Sequence, residues 1–103
     1  VVQYQTAEGR SPVADWMAGL PARTARARIV KRIDRLRLGL RGDWRPVGGR
    51  VIELRIDHGP GYRICAAQVG ITVILLLCAG DKRTQQRDVE IAHAYWKDYQ
   101  GRR

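Results

Sequence analysis

The sequence predicts an α+β domain with the element order β-α-α-β-β-β-α. Three observations carry this. Ala22, Ala25, Ile29, Ile33, Leu36 and Leu40 fall on one narrow arc at helical spacing. Residues 51–57 alternate cleanly between apolar and charged. A second helical stripe, Ile91, Ala92, Tyr95 and Tyr99, follows a tight turn. With 103 residues, 45% of them apolar, the chain is expected to fold around one core as a single domain over 1–103.

Residues 1–6 mix β-branched and aromatic side chains and read as a short first strand. Ser11-Pro12 then signals a helix start, serine as cap and proline in the first turn. Val13, Trp16, Met17 and Leu20 give that helix an apolar side. Pro21 opens the longer helix, to about Leu40, with Arg28, Lys31, Arg32 and Arg35 on one flank. That flank reads either as a solvated face or as a ridge that tracks phosphates or a partner. Gly39 and Gly42 stop the helix, and 41–50 reads as a loop carrying Trp44, Arg45 and Arg50.

The next three strands read as an antiparallel meander. Ile52, Leu54 and Ile56 point to one face; Glu53, Arg55 and Asp57 point to the other. The connection from Asp57 to Gly61 has an odd length, five residues, so Arg63 on the following strand shares the open face with Arg55. Residues 71–79 are apolar on both faces, the mark of a central strand covered twice. Cys65 and Cys78 lie on neighbouring strands around a turn at Gly70. Simple register does not place them opposite each other, so buried reduced thiols are expected, which suits a cytoplasmic location. The apolar run is too short to cross a bilayer as a helix, and no membrane partner is expected.

The charge narrows the function. The net charge is +9, and arginine supplies sixteen of the nineteen basic residues. Guanidinium groups recognise phosphate bidentately, so nucleic acid is the expected partner, with an acidic protein as a second one. His58 and His93 lack companions at ligand spacing, so neither metal nor cofactor is expected. Ser11 is the only serine and looks like a cap, which argues against a serine triad.

What remains is a basic constellation. Lys82 and Arg83, at the end of the third meander strand, come close to Tyr62 and Arg63. Cations, a phenol and His58 are thus expected in one patch. Cleavage of RNA through its own 2′-hydroxyl needs a base, an acid and cations for the phosphorane, but no metal or protein nucleophile. Tyr62 reads as a base-stacking, proton-transfer or packing residue. His58 reads as an acid–base group or an exposed turn residue. Asp57 and Asp81 read as orienters of neighbouring arginines or as caps, with capping the stronger reading for Asp81.

The segments RARIVKRIDRLRLGLRGDWRPVGGRVIELRIDHGPGYRI and ILLLCAGDKRTQQRDVEIAHAYW resemble the RelE/ParE toxin superfamily, in particular its HigB-like branch. The motifs ELRID-x-GPGYR and GDK-x-TQQRD carry the resemblance, which covers nearly the whole chain. It implies a small twisted, mostly antiparallel sheet with two helices packed on one face and a C-terminal helix. It implies the toxin of a type II toxin–antitoxin system, a metal-independent endoribonuclease acting on ribosome-bound mRNA. It also implies a helix-turn-helix, HigA-like antitoxin as partner. By motif position, Arg55, Arg63 and Lys82 fall in the catalytic set, to which Tyr62 is added. Arg83, Arg50, Arg45, His58, Arg28, Lys31 and Arg35 are the candidate contacts to RNA or ribosome. His58 stands where the branch commonly has tyrosine, and Arg83 where it has a small polar residue, which weakens the case for His58 as an acid. A ParE-like gyrase inhibitor and a non-enzymatic module binding nucleic acid or antitoxin are the competing readings.

Overall fold

A computed structural model describes residues 1–71 and 73–102. The order is β1 (Val2–Gln3), α1 (Pro12–Ala18), α2 (Arg23–Arg37), β2 (Trp44–Pro46), β3 (Val51–Ile56), β4 (Tyr62–Val69), β5 (Val73–Asp81), a 3₁₀ turn (Lys82–Thr84) and α3 (Gln85–Gly101). The five strands form one sheet in the order β1-β5-β4-β3-β2. All pairings are antiparallel except that of β1 with β5. The fold is the expected small α+β sheet with a C-terminal helix.

Strand alternation sorts the core into two layers. Ile52, Leu54 and Ile56 of β3, with Ile64, Ala66, Ile74 and Leu76, pack against Val13 of α1 and Ala25, Ile29, Ile33 and Leu36 of α2. The other face places Val51, Cys65, Ala67, Leu75, Leu77 and Cys78 against Ala92 and Trp96 of α3, with Tyr4. β5 is therefore covered on both sides, as its continuous apolar run requires. Ile29, Leu54 and Ile64 are fully buried, so truncating any of them to alanine costs about 2–5 kcal/mol.

The structure corrects several boundaries. The first strand contracts from 1–6 to Val2–Gln3, an edge pair beside β5. The longer helix starts at Arg23 and ends at Arg37; Gly39 turns the chain with φ of 82°, so Leu40 leaves the buried arc and is 58% exposed. The loop expected over 41–50 contains an edge strand, Trp44–Pro46, paired with Leu54, Glu53 and Ile52. Trp96, absent from the expected stripe, is the buried aromatic of α3. Of the strand expected over 71–79, Thr72 lies outside the described residues; the pairing runs on to Asp81.

The cysteines are the clearest correction. The β4–β5 register runs symmetrically from Val69↔Val73 to Ala66↔Leu76, which would set Cys65 against Leu77. A β-bulge between Cys65 and Ala66 adds one residue to β5, and Cys65 faces Cys78 instead. Both thiols are free and buried. The hydrogen bond with Cys65, followed by burial, pushes the Cys78 thiol well above its ordinary range.

Candidate functional site

Arg55 and Arg63 are register partners across β3 and β4, at the end of the sheet where the five-residue loop returns the chain. Two like charges directly opposite destabilise a sheet unless something compensates them. Each arginine has its own carboxylate. Arg55 Nη2 donates to Asp43 at 2.8 Å. Arg63 Nη1 donates to Glu53 Oε1 at 3.0 Å. That same oxygen accepts from Arg45 Nε at 3.0 Å and from Gln85 Nε2 at 3.2 Å. Glu53 is 1% exposed, the most buried charged side chain among the described residues, and its Oε2 has no partner.

Glu53 therefore ties together three elements: Arg45 from the edge strand, Arg63 from β4 and Gln85 from the first turn of α3. The result is a fixed guanidinium cluster on the α3 face, with the Arg63 side chain 16% exposed and Arg45 half-exposed. Glu53 and Gln85 were missing from the sequence-based set. Glu53 was legible as a face-mate of Arg55, since residues two apart on a strand share a face. Gln85 lies within the GDK-x-TQQRD motif, but neither its residue type nor its spacing marked it as a partner of Glu53.

At the far side of the cluster, β5 comes so close to α3 that only glycine fits. A Cβ at Gly80, the register partner of Arg63, would meet Asp88 Oδ2 at 2.0 Å and Thr84 Oγ1 at 2.6 Å. Asp88 is buried there, accepting from Thr84 at 2.5 Å. Burial raises its pKa above the usual carboxylate range; Asp81 and Glu53 push the same way, against Thr84 and Arg87.

Lys82 lies beside the loop exit: a Cβ at Gly61 would sit 3.6 Å from Lys82 Cβ. It is exposed and has no carboxylate partner among the described residues. Asp81 caps the 3₁₀ turn by accepting from the Arg83 backbone N–H at 2.8 Å, and also pairs with the Arg83 guanidinium at 2.9 Å. Arg83 holds the Asp81 carboxyl below its ordinary range, while its own side chain stays 83% exposed. Arg50 is exposed in the β2–β3 turn, where His93 meets the Val47 carbonyl at 2.8 Å.

Two expected members are not in this cluster. Tyr62 alternates to the opposite face, buried in the α1–α2 layer with Trp16 edge-on at 5.6 Å between ring centroids. Its phenol does not share a face with Arg55 and Arg63, and the single patch of cations and phenol expected from the sequence is corrected on this point. His58 stacks at 6.5 Å on the Tyr62 ring and lies on the α2 side. There it lines a groove of about 780 Å³ with Arg28, Lys31, Arg32, Arg35 and Asp57. The α2 flank and the loop histidine thus come together away from the sheet arginines.

Arg32 has a different role from its neighbours on that flank. Its guanidinium donates to the carbonyls of Arg55 at 2.6 Å, Arg41 at 2.7 Å and Asp43 at 2.6 Å. It clamps α2 to β3 and to the segment leading into β2. Burial lowers its pKa, and nearby Arg35 adds to this while Asp43 opposes it. Among the described residues no group of His, Cys, Asp and Glu could hold a metal ion, and no helix is long and apolar enough to cross a membrane.

A small basic α+β domain with a buried-carboxylate arginine cluster on its sheet defines the class. Residues 15–97 match the family described as phage-derived protein Gp49-like (DUF891), and the chain belongs to that family. It is a toxin-like family of the RelE/HigB type found in toxin–antitoxin systems. The chain is also 42% identical over 77 residues to an uncharacterized protein of Haemophilus influenzae (strain ATCC 51907 / DSM 11121 / KW20 / Rd), covering 75% of this chain and 78% of that protein.

Proposed function

We propose that this chain is the toxin of a type II toxin–antitoxin pair and an endoribonuclease that cuts mRNA on the ribosome. The observation that carries the reading is the Glu53-centred cluster: Arg63 and Arg45 are held on one buried carboxylate, with Arg55 opposite and the exposed Lys82 beside the loop exit. In such a reaction the 2′-hydroxyl loses its proton to a base as its oxygen attacks the adjacent phosphorus, the bond to the 5′-oxygen breaks and that oxygen takes up a proton, leaving a 2′,3′-cyclic phosphate and a 5′-hydroxyl; negative charge builds on the non-bridging oxygens on the way. Guanidinium groups fixed before the substrate arrives stabilise that charge without reorganising. Arg55, Arg63 and Lys82 take this role. Tyr62, buried on the other face, is a packing residue in this scheme and not a proton-transfer group. A helix-turn-helix antitoxin, expected from the family resemblance, would block this surface.

The test is induced expression with transcript-end mapping. Wild-type protein should arrest growth and leave new 5′-ends within translated messages, and Arg63→Ala should abolish both. Intact messages alongside poisoned gyrase in a supercoiling assay would overturn the ribonuclease reading in favour of a ParE-like one.

A further inference from the structure

Two groups of this protein's cations differ in their partners. Arg45, Arg55, Arg63 and Arg83 each pair with a carboxylate of the chain. Arg28, Lys31 and Arg35 do not: among the described residues no carboxylate lies within ion-pair distance of them. These three are exposed, and they line one wall of the 780 Å³ groove between α2 and the β3–β4 loop. Arg32, fixed by its three carbonyl bonds, adds a fourth positive charge at the junction with β3. His58 and Asp57 form the opposite wall.

We infer that this groove holds the phosphates of a single-stranded nucleic acid, as a docking site separate from the sheet cluster. Identifying the strand as RNA rests on the function proposed above. Arg28 to Arg35 spans about 10 Å along the helix, the length of a few stacked nucleotides at roughly 3.4 Å each. Unpaired cations in a row are what counterion release requires, whereas a cation already neutralised by a carboxylate gains less from a phosphate. A protein ligand fits less well. A docked helix or strand needs apolar anchor pockets, and the lining here offers only Ala27, Ile56 and the stem of Thr24. Asp57, the only carboxylate on the lining among the described residues, opposes a phosphate at the loop side and biases the strand toward α2.

The site is tested with the full chain and a fluorescein-labelled 2′-O-methyl oligouridylate of twelve nucleotides, which lacks the hydroxyl that cleavage needs. Binding is read by anisotropy between 50 and 200 mM salt. The groove variant Arg28→Gln/Lys31→Gln/Arg35→Gln is compared with Arg10→Gln/Arg87→Gln/Lys97→Gln, which removes equal charge outside α2. The groove variant should bind roughly tenfold more weakly or worse at 50 mM, and its log–log salt slope should fall in magnitude by about 2. The control should keep most of the wild-type slope. Should the triple variant melt below assay temperature, Lys31→Gln alone should lower the slope by about 0.7. Equal loss in both triple variants, or no loss in the groove variant, overturns the proposal. So does a wild-type chain that ignores the oligonucleotide, whether or not it binds a labelled poly-glutamate of equal charge. Because the probe cannot be cut, failure of the ribonuclease reading would leave this binding result standing, and the reverse also holds.

Discussion

Arg63 donates to Glu53 at 3.0 Å across β3 and β4, and Glu53 is almost wholly shielded from water. The pair is asymmetric. Glu53 has three donors, whereas Arg63 has one carboxylate and, among the described residues, a buried Nε without a partner. Removing the acid strands a mostly buried guanidinium, while removing Arg63 leaves the acid with Arg45 and Gln85. Glu53→Ala should therefore cost about 3 kcal/mol, the low end for a broken buried pair because Arg45 is half-exposed. The melting temperature should drop by on the order of 15 °C. Arg63→Ala should cost clearly less. Thermal melts of the two variants decide it, and equal losses would show that Glu53 is not the shared hub.

Arg32 makes a second prediction. Its three carbonyl bonds need a planar fork, which lysine lacks. Arg32→Lys keeps the charge, yet should lose about 1 kcal/mol because at least one part-buried carbonyl loses its donor. Arg35→Lys, on the exposed side of the same helix, should change stability by less than about 0.5 kcal/mol. Urea unfolding of both variants gives the comparison directly.

Much of this arrangement was legible in the sequence, and the exceptions have physical causes. Arg55 and Arg63 could be paired from strand parity and an odd loop, because a period of two leaves no freedom. Tyr62 follows from the same parity, being one residue from Arg63 and hence on the other face; treating it as part of the patch followed the chain and not the pleat. The bulge that brings Cys78 opposite Cys65 was hidden because Leu77 and Cys78 are both apolar, so no polar residue reports the change of face. The short strand Trp44–Pro46 carries proline and arginine, poor strand markers, and forms because β3 offers it an edge. Helical spacing put Arg28, Lys31, Arg32 and Arg35 on one flank, but only the carbonyls beyond the helix distinguish the clamp from the free cations.

The facing cysteines predict chemical silence. Both thiols are buried, and Cys78 also donates to the Asp88 carbonyl at 3.2 Å. With its pKa raised, Cys78 stays a neutral thiol at pH 8, and the thiolate is the reactive form. Native protein should take up no iodoacetamide at pH 8, and guanidinium-unfolded protein should take up two equivalents. Labelling of folded protein at the rate of a free thiol, read by intact mass, would refute the burial of the pair.

Gly80 and Asp88 meet where β5 passes under the start of α3. A methyl at position 80 would collide with Asp88 and Thr84 together, so Gly80→Ala should cost about 1–3 kcal/mol as the first turn of α3 is displaced. Asp88 gives the sign of a pH effect at the same contact. Its folded pKa is raised, with burial as the first cause. The native state therefore holds its proton to higher pH than the unfolded chain does. The stability this contributes is fully present below the unfolded carboxylate pKa and is lost as pH rises through the folded one. Asp88→Asn removes the buried charge while keeping an oxygen to accept from Thr84. The variant should melt higher than wild type at pH 7, and the gap should close as pH falls below about 4, near the ordinary aspartate pKa. Melting curves of both proteins across that range check it, and a gap that is absent at pH 7 or widens toward acid would reverse the assignment.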